Sequence, residues 1–155
     1  MKENSTVKEQ SLNPQPNVRP TAQAAAHEGL DERVLAALHA ASEKKALEPV
    51  VLDLREIASF TDYFVIVSGA NERQVQAISD EVYETLKKSG HAAARVEGYK
   101  TAEWILLDYG DFVMHVFEQK ARKFYDLERL WRESKRIDVP TEFNSDSAGS
   151  LRRES

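Results

Sequence analysis

The run from Tyr63 to Gly69, YFVIVSG, is the segment that leaves this chain the fewest folds to choose from. It is apolar almost without interruption and β-branched at Val65, Ile66 and Val67. That pattern predicts a strand buried on both faces, as in the middle of a helix-covered sheet. The flanks supply the helices. Upstream, Leu30, Val34, Leu38 and Ala41 recur at helical spacing behind Gly29, with Asp31 and Glu32 at the start, which predicts a helix ending near Leu47. Pro49 cannot continue a helix interior, and the VVLDL that follows it predicts a first strand at about residues 50–54. Downstream, Val75, Ile78, Val82 and Leu86 recur every three or four residues and Gly90 supplies a stop, so residues 72–88 predict an amphipathic crossover helix. A short strand at residues 94–97 is then expected to complete a right-handed parallel unit.

Trp104–Tyr109 and Phe112–Phe117 alternate in character on either side of Tyr109-Gly110, the strongest hairpin signal in the chain. With Tyr109-Gly110 as the two-residue turn, Asp108 faces Asp111, Leu106 faces Val113 and Trp104 faces His115. Ile105, Leu107, Phe112, Met114 and Val116 then share a wholly apolar face that must be core. The opposite face mixes an indole, aliphatics, carboxylates and an imidazole. Either a loop or the last helix covers it, or it receives a protein partner. That last helix is expected at about Arg122–Arg132, burying Phe124, Leu127, Leu130 and Trp131.

The order αββαβββα predicts one α/β domain: a mixed sheet of about five strands flanked by helices. Its expected bounds are residues 29–139, between a polar N-terminal extension at 1–28 and a tail at 140–155, both too poor in apolar residues to order. A net charge of -5 argues against a fold built chiefly to hold nucleic acid, and the absence of cysteine excludes disulfides and thiolate chemistry. No apolar run reaches the length of a membrane span and the first residues lack a secretory or organellar leader pattern, so a cytoplasmic location is expected.

Few residues suggest chemistry. Asp108, Asp111 and His115 could form a carboxylate–imidazole site, but Asp at these positions also brackets a turn. His27, His39 and His91 have no ligand spacing. SGANERQ, Ser68–Gln74, lies where a phosphate loop would, yet lacks its glycines and its Lys-Ser or Lys-Thr pair, so Asn71 or Ser68 is expected to cap the helix instead. Thr61-Asp62 is expected to secure a tight entry to the central strand through side-chain-to-backbone bonds. Residues 118–136 carry seven Lys or Arg against four acids, either a solvated helix face or a salt-sensitive contact with an RNA backbone.

Three long segments, in order, resemble the RsfS/Iojap family of ribosomal silencing factors: TDYFVIVSGANERQVQAISDEV, RVEGYKTAEWILLDYGDFVMHVF and RKFYDLERLW. The resemblance spans about residues 30–139. It implies a nucleotidyltransferase-like fold without the active site, no catalysis and no cofactor or metal. It also implies binding to large-subunit ribosomal protein L-fourteen and obstruction of subunit joining when nutrients are scarce. The partner surface it implies centres on Trp104, Leu106 and Asp108, flanked by Val113 and His115, with Glu97-Gly98 matching the family's VEG and Arg122 at the interface edge. The free protein is expected to be a monomer or a homodimer, with peripheral rRNA contact at the basic helix. Two other readings are a metal-dependent nucleotidyltransferase-like enzyme, for which the paired Asp-x-Asp is missing, and an RNA-binding ribosome biogenesis factor.

Overall fold

The structure, a computed structural model, describes residues 30–143. The expected N-terminal extension at 1–28, and the tail from residue 144, lie outside the described residues. Helix α1 (Glu32–Glu43) opens on Asp31, whose carboxylate accepts from the Arg33 amide. It stops earlier than Leu47 because Lys45 turns into the left-handed region. There the Lys45 amide donates to the Ser42 carbonyl and the Ala46 amide to that of Ala41, the closing pattern of a Schellman motif. Strand β1 (Leu47–Asp53) therefore begins ahead of Pro49. The proline is accommodated at a break in register between Leu47 and Val50, where Glu48 also takes positive φ.

Strand β2 (Tyr63–Gly69) is buried at every position, as its composition requires. Helix α2 (Glu72–Lys88) buries Val75, Ile78, Val82 and Leu86. It leads to β3 (Arg95–Glu97), β4 (Trp104–Asp108) and β5 (Phe112–Glu118). The sheet order is β3-β4-β5-β2-β1-β6, with β2 and β5 parallel and the other neighbours antiparallel. β3 thus runs parallel to β2 without touching it: the crossover carries the chain to the far edge, and β4 and β5 fill back toward the centre. The expected strand–helix–strand unit is thus parallel, with β4 and β5 inserted between its two strands.

The register of β4 and β5 puts Ile105, Leu107, Met114 and Val116 on one face together with Val65 and Val67. All six are essentially inaccessible, on the face against which α2 packs. On the opposite face Val50, Leu52, Phe64, Ile66, Val113 and Phe117 form a second apolar cluster with Leu54 and Leu127.

The hairpin turn is one residue later than expected. Tyr109 N–H donates to the Phe112 carbonyl at 2.9 Å, so Gly110-Asp111 is the turn and Gly110 takes φ +85°. A glycine at the first turn position of a two-residue hairpin fits its preferred chemistry. Leu106 accordingly faces His115, Asp108 faces Val113 and Trp104 faces Phe117. Moving the turn by one residue shifts each cross-strand partner by two, and because side chains alternate with period two, both face assignments survive.

The C-terminal part differs more. The expected single helix is two: α3 (Gln119–Tyr125) and α4 (Leu127–Leu130), broken at Asp126, which adopts φ +51°. The break reorients the apolar positions. Leu127 is buried and Trp131 partly so, but Phe124 is 80% and Leu130 69% exposed, contrary to the expectation that all four are core. A sixth strand, β6 (Lys135–Ile137), pairs with β1. Thr141–Phe143 then forms a 3-10 turn that buries Phe143 beside His39.

A Cβ added at Gly110 would meet nothing within 4 Å, so its cost is conformational alone. Gly110→Ala is expected to lower stability by about 1–2 kcal/mol, measured by urea unfolding, with the sheet otherwise intact.

Candidate docking face

Trp104 begins β4 on the sheet face opposite α2, and several independent contacts fix its indole. The ring stacks on Phe117 with centroids 4.8 Å apart and lies 4.9 Å from Tyr125. Its Nε1–H donates to His115 Nδ1 at 3.0 Å. His115 is only 3% exposed and its ring meets Phe64 edge-on at 4.4 Å. Accepting through Nδ1 assigns the proton to Nε2, a buried atom with no hydrogen-bond partner. Burial pushes the His115 pKa down to about 3, so the imidazole is a neutral acceptor that orients the indole.

The two carboxylates once considered with it are engaged elsewhere. Asp108 accepts from the Gly110 amide at 2.9 Å and pairs with Arg95 at 3.3 Å. Asp111 accepts from Arg33 at 2.7 Å, tying the hairpin turn to α1. The same turn is secured from the other side by Thr61, whose hydroxyl donates to the Gly110 carbonyl, and by the Asp62 amide, which donates to that of Asp111. Asn71 caps α2 by accepting from the Gln74 amide, and the Gln74 side chain donates to the Lys44 and Lys45 carbonyls, so the segment resembling a phosphate loop serves as a joint. Among the described residues no group of three or more His, Asp or Glu is arranged to hold a metal ion.

The structure divides the expected partner residues. Trp104, Leu106 and Asp108 are partly accessible along β4, and Glu97 is exposed on β3. Val113 and His115 are buried under the cover of this face, Val113 opposite Asp108 and His115 against the Trp104 indole. Arg122 is also buried, at 7% exposure, which corrects its expected place at the interface edge. Its guanidinium donates to the Ser68 hydroxyl and pairs with Glu128, clamping α3 and α4 to the end of β2. Gly98 acts through its backbone: at φ +82° it lies so close to β4 that a Cβ would fall 2.1 Å from the Trp104 carbonyl oxygen. It seats the strand that carries the indole.

What the sequence reading missed is the apolar surface beside Trp104. Phe124 packs against Tyr125 at 5.0 Å and Tyr125 against Trp104. From His115 the ring contacts continue through Phe64 and Trp131 to the exposed Phe60. A string of aromatic rings thus crosses this face and surfaces at both ends, with Leu130 exposed next to Trp131. The adjacent pair Phe124-Tyr125 was the available signal, since consecutive helical residues cannot both point into one core.

Residues 27–155 match the protein family described as Ribosomal silencing factor during starvation. The chain is 39% identical over 103 residues to Ribosomal silencing factor RsfS of Halalkalibacterium halodurans, covering 66% of this chain and 88% of that protein. It is 30% identical over 92 residues to Mitochondrial assembly of ribosomal large subunit protein 1 of Mus musculus, covering 57% of this chain and 40% of that one. A crystal structure of a protein from Chromobacterium violaceum superposes with a TM-score of 0.64 at 31% identity, covering 70% of this chain and 88% of that one.

Two outcomes follow from the geometry around Trp104. The His115 pKa is depressed in the folded state from about 6.5 in the unfolded chain, so the stability it contributes is complete above pH 6.5 and is lost as pH falls toward 3. The urea midpoint should therefore fall between pH 7 and pH 5, and His115→Gln should flatten that fall. Gly98→Ala, with its backbone clash, should cost more than about 2 kcal/mol in the same assay and change the tryptophan emission of the folded protein.

Proposed function

The chain belongs to the family of ribosomal silencing factors, and on that premise we propose that it binds the large ribosomal subunit through ribosomal protein L-fourteen and sterically blocks joining of the small subunit, repressing translation under nutrient limitation. The observation that carries this reading is the exposure of Phe124, which packs on Tyr125 against the partly buried Trp104, and of Leu130 next to Trp131 at the other end of the same ring contacts. Large apolar side chains left in water next to a fixed indole have the make-up of an interface centre: aromatic anchors in a pre-ordered setting, with polar groups around them. The name of the mouse relative, which refers to the ribosomal large subunit, supports the choice of subunit.

Binding and occlusion suffice for this function; it needs no turnover, cofactor or metal. Trp104, Phe124 and Leu130 supply the apolar anchor. Leu106 lies beside the indole on the same face of β4, and Glu97 and Asp108, bridged by Arg95, leave one net negative charge there for a basic ribosomal protein. Lys120, Lys123, Arg129 and Arg132 are exposed on and around α3 and α4 and would meet rRNA at the periphery of the site. The setting is the cytoplasm, and the free protein is a monomer or a homodimer; a homodimer formed through the same face would compete with the ribosome.

Co-sedimentation with purified large subunits tests the reading, followed by addition of small subunits and measurement of the joined fraction. Wild-type protein should pellet with large subunits and reduce joining. Trp104→Ala should weaken binding by about 2 kcal/mol or more, and the surface pair Phe124→Ser with Leu130→Ser, which removes no core, should do the same and restore joining. Failure of the wild type to pellet would overturn the proposal. Binding that survives both variants but falls steeply with salt would replace protein docking by RNA binding.

A further inference from the structure

On the opposite side of the sheet from Trp104, a cavity of about 310 Å3 opens between α2 and the β3–β4 edge. Its lining is Ser79, Asp80 and Tyr83 from α2, Val96 from β3, Tyr99 from the following loop and Leu107 from β4. Leu107 and Ser79 are buried and form the floor, whereas Val96 and Tyr99 are substantially exposed at the mouth. The volume lies at the lower end of the range, roughly 300–1,000 Å3, that small-molecule sites occupy.

Four features of the lining bear on what this cavity can hold. The Ser79 hydroxyl is fully buried in the lining and has no hydrogen-bond partner, although a buried polar group is ordinarily satisfied. Tyr99 is held in place as a wall: its carbonyl accepts from Gln76 Nε2 at 2.9 Å and its hydroxyl donates to Asp80 at 3.1 Å. Asp80 is the only formally charged lining residue. Lys87, one turn beyond Tyr83, lays its ammonium 5.7 Å from the Tyr83 ring, so a cation is already accepted against that ring.

We infer that this cavity is a binding site for a small organic cation, a protonated amine on an apolar or aromatic body. The body lies against Val96, Leu107 and the tyrosine rings. The ammonium is drawn to the Asp80 carboxylate at the mouth, while the Ser79 hydroxyl lies out of reach beneath the floor. An anion of the same shape meets Asp80 with like charge and is rejected. The site is independent of the docking face in its chemistry, but the loop that forms its Tyr99 wall begins at Gly98, which seats Trp104.

Titration of the full ¹⁵N-labelled chain, free of ribosomes, with phenethylamine and separately with phenylacetate tests this. Phenethylamine should give saturable amide shifts centred on Ser79, Asp80, Tyr83, Val96, Tyr99 and Leu107, with roughly tenfold tighter binding than phenylacetate. Asp80→Asn, a surface substitution compatible with folding, should remove most of that preference while both probes still bind weakly. Shifts that do not saturate, that map elsewhere, or that are equal for the two probes would overturn the inference, as would an Asp80→Asn variant that keeps the full preference.

Discussion

The pairing of β2 with β5 is the constraint on which the remainder of the molecule depends. Seven consecutive partners, from Tyr63 with Phe112 to Gly69 with Glu118, align the two most apolar strands in parallel. They are distant in sequence, so their pairing closes a long loop and must be rewarded by burial on both faces. Once it forms, the face of every neighbouring side chain is set. Phe64 and Ile66 flank His115 on one side of the sheet, while Val65 and Val67 meet Met114 and Val116 on the other. A slip of one residue would exchange the two sets and place the imidazole in the helix-covered core.

That arrangement explains why a histidine lies buried in an otherwise apolar strand. Its Nδ1 gives the Trp104 indole a fixed acceptor, and aromatic rings enclose it. An unpartnered Nε2 is a cost to stability that an apolar residue would avoid. What the histidine supplies is orientation, since stacking on Phe117 alone would let the indole slide, whereas the hydrogen bond selects one ring position. Gly98 acts to the same end from the backbone, and Arg122 from beneath α3. The residues that a sequence resemblance groups as one partner surface thus separate into those a partner could touch and those that hold them still.

Much of the fold could be read from residue periodicity, and the failures have definite physical origins. β2 and the crossover helix were legible because burial on two faces and on one helical stripe leave distinct patterns over many residues. The hairpin faces were legible even though the turn was displaced, because a two-residue change of partner preserves the alternation. The position of β3 at the sheet edge was not legible, since a three-residue strand carries no signal about which neighbour it will meet. Nor was the break at Asp126: Phe124, Leu127, Leu130 and Trp131 have good helical spacing, and only the left-handed backbone at Asp126 separates Leu127 from the exposed pair. The proposed docking surface was half visible for that reason. Trp104 announced itself on an alternating strand, whereas its apolar neighbours were disguised as core.

The break at Asp126 also bears on how apolar side chains come to lie in water on this face. Phe124 lies on α3 ahead of the break and Leu130 on α4 after it, and the clamp of Arg122 on Glu128 and Ser68 holds the two short helices with both side chains in water. The loss of apolar burial is local, because Leu127 and Trp131 still cover the second cluster. Exposed charge at Lys120, Lys123, Arg129 and Arg132 surrounds the patch and opposes self-association. The clamp ties the helices that carry the two exposed side chains to the end of β2, so under the proposed docking less of that backbone has to be ordered and more of the interfacial burial is available as affinity.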